Sequence, residues 1–418
     1  MKSAACRSAW SFSGFVLAAA LGVGLPASTS ADPVKITIEK SEPRVAPVPA
    51  EPPAAAAPFI GVRPAVDLAI LLDTSNSMDG LIDQARQQLW TIVGQFAAAK
   101  KAGQTPHLRV ALFEYGNTNL PASEGYIRQV VPLTDDLDAM SAALFALTTN
   151  GGDEYCGQVI DEAITRLDWS KDPNAYRTIF IAGNEPFTQG PILPNEACKR
   201  AIEAGVIVNT IHCGNYDAGI QGHWNLGAQI AEGEYLNIDQ DRVVVDIPSP
   251  HDKIIIELNT KLNATYLWYG EDAEELAINQ VVQDRNSFGI SESNAVQRIK
   301  AKNSAVYRNV GRDLVDSYAA DADVLDDVDY EELPEAMQEM TAEQREAYVQ
   351  EKADERAAIK AQLKEATDQR DAFVAAERER QAAEAAAASG GDATLGDAVL
   401  VAIRKQLTTA GFVVEAAE

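Results

Sequence analysis

The sequence predicts a doubly wound α/β fold, a mainly parallel six-stranded sheet with helices on both faces, followed by an α-helical C-terminal region. Three observations predict it. Between residues 64 and 263, short apolar runs of strand length alternate with segments of helical periodicity, and that alternation implies parallel pairing through crossovers. One step, from Tyr115 to Tyr126, is short and hairpin-like and allows a single antiparallel edge strand. After Asn263 the strand pattern ends, and residues 345–387 run without Pro or Gly.

The elements follow in order. Val66 to Leu72 (VDLAILL) reads as a buried strand. The helix from Leu81 to Ala99 places Leu81, Ile82, Ala85, Leu89, Ile92, Val93 and Phe96 at spacings of three and four. Leu108 to Tyr115 and Tyr126 to Val131 are strands; Asp138 to Leu147 and Val159 to Trp169 are helices. Thr178 to Ala182 is a strand, Glu196 to Ala204 a helix ended by Gly205, and Val206 to His212 a strand. Trp224 to Ala231 is a short helix before Gly233, and Tyr235 to Ile238 the last strand.

The flanking regions differ in kind. Residues 1–31 have the order of an export signal: Lys2 and Arg7, an apolar run from Phe12 to Leu25, then Thr29-Ser30-Ala31 before Asp32. The run is shorter than the ~20 residues of a membrane span. The expectation is therefore cleavage, no span in the mature chain, and a periplasmic or extracellular location. Residues 32–63 carry Pro33, Pro43, Pro47, Pro49, Pro52, Pro53 and Pro58 among many Ala, the composition of a semi-extended tether. Residues 264–335 read as a mixed helical region ending in an acidic linker from Asp321 to Glu335. Residues 336–418 read as a long helix, with a capping box at Thr341 and Gln344, and a terminal amphipathic helix. Ile359, Leu363, Ala366 and Phe373 form a sparse heptad seam interrupted by Arg370, compatible with assembly through a coiled coil, a single long helix or a hairpin. Leu395, Val399, Ile403 and Leu407 share one face of the terminal helix.

The net charge of −27 argues against nucleic acid and against an anionic membrane surface. Loss of residues 1–31 removes Lys2 and Arg7 and no acid, so the mature chain is more acidic still. Such a surface suits a cationic partner or metal ions.

The sharpest motif is Asp73-Thr74-Ser75-Asn76-Ser77-Met78, between the first buried strand and the long helix. One carboxylate and two hydroxyls at alternate positions put three oxygens on one side of a turn, at the carboxyl edge of a parallel sheet where ligands bind. Mg²⁺ and similar hard cations take oxygen ligands of this type. Asp-x-Ser-x-Ser after a buried strand resembles the metal-ion-dependent adhesion site of the von Willebrand factor A and integrin inserted domains, over roughly half of the chain. The resemblance implies a Rossmann-like fold with a divalent metal, Mg²⁺ or else Mn²⁺ or Ca²⁺, held by Asp73, Ser75 and Ser77. It also implies an open metal position that accepts a carboxylate from a protein partner. The family's second loop supplies a Thr; here it reads Thr148-Thr149-Asn150-Gly151-Gly152-Asp153-Glu154, with Asp153 at about the Thr position and Thr149 the competing choice. The family's third loop begins with an Asp, where this chain has Gly183; Glu185 could reach back.

Other chemistries lack their motifs. No G-x-G-x-x-G follows the first strand, and neither G-x-x-x-x-G-K-[ST] nor G-x-S-x-G occurs. A hydrolase using Asp73 and Asp153 has no credible base. His212 and Cys213 are adjacent on a strand and point to opposite faces, so they form no nucleophile pair. Cys156, Cys198 and Cys213 allow one disulfide in an oxidising compartment. The expected function is non-catalytic, metal-dependent protein binding. The alternative is a structural scaffold that assembles through its C-terminal helices.

Overall fold

A computed structural model describes residues 63–239, 246–385 and 395–414; the expected leader, residues 1–31, and nearly all of the expected tether, residues 32–63, lie outside the described residues. Six strands form one sheet: β1 (Ala65–Asp73), β2 (His107–Tyr115), β3 (Ile127–Thr134), β4 (Tyr176–Gly183), β5 (Ile207–Cys213) and β6 (Tyr235–Ile238). Their order is β3-β2-β1-β4-β5-β6. All neighbours are parallel except β2 and β3, the antiparallel edge pair that the short connection after Tyr115 requires.

Each central strand is buried on both sides. From β1, Val66, Leu68 and Leu72 enter one core and Ala69 and Leu71 the other. The second core lies under α3 (Cys156–Arg166), α4 (Pro194–Glu203) and α6 (Trp224–Ile230). The first lies under α1 (Asp79–Ala98) and α2 (Leu137–Ala146). A short helix, α5 (Tyr216–Gln221), precedes α6; the sequence reading missed it.

The helical region comprises α7 (Asp252–Asn263), α8 (Ala273–Ile290), α9 (Glu292–Asn303), α10 (Leu314–Ala320), α11 (Ala342–Ala385) and α12 (Leu395–Thr409). Most of it packs onto the core of the sheet rather than apart from it. Ile255 and Leu262 of α7, Val296 of α9 and Leu363 of α11 extend the core beneath α1 and α2. The terminal helix goes further. Val399, Ile403 and Leu407 of α12 are buried in that same core, and α12 packs along α1. Gln406 donates to Asn209 Oδ1 at 2.6 Å and accepts from Tyr176 Oη at 2.6 Å, fixing α12 to β5 and β4. Val413 and Val414 then pair antiparallel with Lys100 and Ala99.

Two expectations about the helical region are corrected. Most of the heptad seam of α11 is buried inside the chain: Ile359, Leu363 and Ala366 are buried and Arg370 is a buried partner of Asp252 at 2.7 Å, while Phe373 stays exposed. The acidic stretch is more than a solvated linker, because Leu333 is buried with Met337, Leu314 and Val349 in a small core of its own. Its acids face outward while its few apolar side chains plug inward. No helix among the described residues is long and apolar enough to cross a membrane.

Candidate functional site

The site lies at the carboxyl ends of β1, β2 and β4. Asp73 closes β1, and its Oδ1 accepts the Ser75 N–H at 2.7 Å, which folds the chain back into a tight turn. The turn is held on two sides: Thr74 donates its N–H to Tyr115 O at 2.8 Å, and Thr74 O accepts the Asn150 N–H at 2.9 Å. The Ser75 and Ser77 hydroxyls are 3.4 Å apart, and Ser77 accepts from Asn184 Nδ2 at 3.0 Å. Asp73 and Ser75 are buried, whereas Ser77 is exposed. The three oxygens of the motif therefore run from the floor of the site to its mouth.

The second loop brings a different carboxylate from the one the sequence pointed to. Asp153 is exposed and accepts from Tyr155 Oη at 3.2 Å. Glu154 is the buried one. A Cβ on Gly116 would stand 2.8 Å from Asp73 Oδ1 and 2.9 Å from Glu154 Cγ, so the two acids share one recess. The two residues are consecutive just before α3, and no sequence signal there separates the inward from the outward one. Thr149 turns aside to hydrogen-bond Asp79. Glu185 is exposed and accepts from Gln189 Nε2 at 3.3 Å, while Gln189 Oε1 accepts the Glu154 N–H at 3.3 Å. Glu185 thus borders the recess through Gln189.

Gly183 is required by its neighbours. A Cβ there would meet Tyr115 Oη at 2.5 Å and Asp73 Oδ2 at 3.1 Å. The Tyr115 hydroxyl, buried and donating to Ala182 O at 2.9 Å, occupies the space a side chain at 183 would need. Sequence reading missed Tyr115 because it registers only as an apolar strand residue. His212 is a packed histidine: Asn184 O lies 3.2 Å from Nε2, Trp224 meets the ring edge-on, and burial lowers its pKa. The three thiols are free and buried, contrary to the disulfide that the compartment allowed. Cys156 lies against Tyr115 Oη at 3.7 Å.

Electrostatically the recess is an acid pair. Burial pushes the Asp73 carboxyl up from its ordinary value, and burial together with the Asp73 charge pushes Glu154 up further. Asp73 Oδ2 is buried and makes no hydrogen bond of good geometry; the Asn184 N–H and the Ser75 hydroxyl stand near the carboxyl, and the neighbouring Glu154 can donate to it only when protonated. An orphaned carboxylate oxygen in the interior is costly. The donor set is entirely oxygen, two carboxylates and two hydroxyls, which fits a hard divalent cation. Among the described residues no three His, Cys, Asp or Glu side chains gather to hold a metal, so a cation here would depend on the serines as much as on the acids.

The recess lies at the carboxyl edge of an open α/β sheet, the place where folds of this class bind ligands, and the fold alone fixes no particular chemistry. The fold is of a known kind: residues 67–219 match the von Willebrand factor type A domain family, and the chain carries such a domain. Domains of this family commonly serve in protein interaction and adhesion and are mostly non-catalytic. No curated protein matches the chain in sequence. Similar solved structures include the conserved hypothetical protein BatB from Bacteroides thetaiotaomicron, at 17% identity over 42% of this chain and 91% of that one, TM-score 0.33. The VWA domain of SpRpn10 is similar at 17% identity over 43% of this chain and all of that one, TM-score 0.32. Proximal thread matrix protein 1 from the mussel byssus, with a zinc-occupied MIDAS motif, is similar at 14% identity over 44% of each chain, TM-score 0.33.

Proposed function

We propose that the recess binds a divalent cation, Mg²⁺ or Mn²⁺, with Ca²⁺ the third candidate, and that the chain uses it to hold a protein partner without catalysis. Asp73, Ser75, Ser77 and Glu154 are the ligands in this reading, with Glu154 taking the part that the sequence assigned to Asp153. The single observation that carries it is Asp73 Oδ2, a buried carboxylate oxygen that makes no hydrogen bond of good geometry, beside a second carboxyl group. A bound cation would supply positive charge to both acids and leave a position open to a carboxylate of the partner. Ser77 and Glu185 at the mouth are the side chains such a partner would meet. The leader-like residues 1–31 favour action outside the cytoplasm, with residues 32–63 as the tether.

The test is calorimetric titration of the full chain with Mg²⁺ and Mn²⁺, paired with thermal unfolding. A cation at 100 times its dissociation constant stabilises the fold by about 2.7 kcal/mol. Asp73→Ala and Glu154→Gln each abolish the response; Asp153→Asn leaves it intact. Absence of heat and of stabilisation at millimolar cation overturns the reading. The second reading, a scaffold with a vestigial site, is favoured by one feature: Tyr115 closes the space at Gly183, where the family places an aspartate.

A further inference from the structure

Helix α8 is built inside out. Its buried face is polar: Gln280 and Gln283 are each 1% exposed and Ser287 is fully buried. Each is satisfied there. Gln280 donates to Tyr307 Oη at 3.1 Å, Ser141 donates to Gln283 Oε1 at 2.9 Å, and Trp90 Nε1 donates to Ser287 Oγ at 3.1 Å. Its solvent face is apolar, with Ile278 55%, Val281 38%, Val282 37% and Phe288 51% exposed. These four recur at helical spacing, so they form one stripe on the side opposite the glutamines. A helix normally turns such a stripe inward. Here the hydrogen-bonded inner face fixes the rotation of the helix, and the stripe cannot be hidden by turning it.

The charges on the stripe say what covers it. Glu274 and Glu275 stand at its start and Arg285 toward its end; all three are exposed, and Arg285 makes no ion pair among the described residues. Lay a second α8 antiparallel against the first, with Ile278 of each opposite Val281 of the other. Arg285 lies seven residues after Ile278 and Glu274 seven before Val281. The same register therefore sets Arg285 of each copy at the height of Glu274 of the other, beside Glu275, once at each end. A parallel pairing would oppose Arg285 to Arg285 and acid to acid. The antiparallel pair also opposes the helix dipoles favourably. A membrane surface fits poorly, since Glu271, Asp272, Glu274 and Glu275 head the stripe of a chain carrying −27.

We infer that the apolar face of α8 is a self-association surface, through which two copies of this chain pair antiparallel about Ile278, Val281 and Val282. The inference is independent of the cation site. It relocates the assembly surface from the α11 seam, which is mostly buried inside the chain, to a helix whose apolar residues are free.

Sedimentation of the full chain across micromolar to hundreds of micromolar concentration tests it. A reversible monomer–dimer equilibrium is expected. Ile278→Glu with Val282→Glu weakens it at least tenfold while unfolding is unchanged, because neither side chain supports the fold. Arg285→Glu weakens it, and adding Glu274→Arg and Glu275→Arg restores it. Orientation is read by cysteine cross-linking. A mixture of Glu274→Cys and Arg285→Cys chains cross-links between the two variants, and Arg285→Cys alone does not exceed the unsubstituted chain. A chain that stays monomeric throughout, or a dimer indifferent to the stripe variants, or Arg285→Cys homodimers, overturns the inference.

Discussion

The sheet and the helical region draw on the same two forces in different proportions: the sheet buries Asp67 against Arg109 at 2.8 Å, and the helical region buries a connected network of ions. The sheet is sandwiched between apolar cores, with Ile179, Ile181 and Val208 on one side and Val66, Leu68 and Phe180 on the other. The helical region relies on buried charge as well. Arg298 donates to Asp284 at 2.5 Å and to Asp138 of α2 at 2.7 Å, and lies over the Trp90 ring. Lys302 donates to Asn259 at 2.9 Å and to Asn263 at 2.5 Å and pairs with Asp284 at 3.1 Å. Arg356 binds Asp313 at 2.7 Å over the Tyr266 ring. Apolar packing tolerates exchange between residues of similar size, whereas a buried ionic network fails when one member goes. The connected ions give the helical region a geometric specificity beyond that of the apolar core it shares with the sheet.

The largest expected effect is at Arg298. Arg298→Met leaves Asp138 without a cation and Asp284 with Lys302 alone, and costs about 3–5 kcal/mol in denaturant unfolding. A loss under about 1 kcal/mol would mean the network contributes no more than a surface pair. In the sheet, Ile181→Ala costs about 2–5 kcal/mol by leaving a cavity, while Ile181→Val costs about 0.5–1.5 kcal/mol; that graded response is what the ionic network lacks.

The two regions also respond to pH with opposite sign. Burial works against the Asp284 charge, but Lys302 and Arg298 outweigh it and hold the carboxyl well below the usual range. Its stabilisation is present above the ordinary carboxylate value and is lost as pH falls toward the depressed one. Asp73 and Glu154 are raised, so their contribution has the other sign, present below the ordinary value and lost as pH rises through the raised one. In chelator, Glu154→Gln should therefore raise the stability at pH 7 by about 1–2 kcal/mol, a gain that vanishes near pH 4. A constant offset across that range would show that Glu154 is not held protonated by its surroundings.

The same contrast explains what the sequence could disclose. Strands β1, β2, β4 and β5 were legible because their interiors are apolar, so hydrophobicity marks the buried stretch. The Asp73, Ser75 and Ser77 turn was legible because three oxygens follow a strand end. Glu154 was not, because Asp153 is equally acidic and one residue of phase before α3 decides which turns inward. Helix α8 gave no face to read: its buried side is glutamine, serine and aspartate, and its solvent side is isoleucine, valine and phenylalanine. The role of α12 was hidden for another reason. An amphipathic helix announces that it covers something apolar, and only the fold shows that the surface is α1, some 300 residues earlier.

That distance has a consequence for how the chain matures. Residues 399–407 seal the core beside α1, so β1 and α1 wait on the ribosome for a segment about 300 residues later before their surface is closed. Until then the apolar side chains of α1 that α12 shields face water, and contacts this distant in sequence form slowly. A chain in transit is exposed there to capture by chaperones or to proteolysis until α12 has formed. A premature stop before Val399 should therefore do more than remove a tail, since it leaves the oldest part of the fold permanently open.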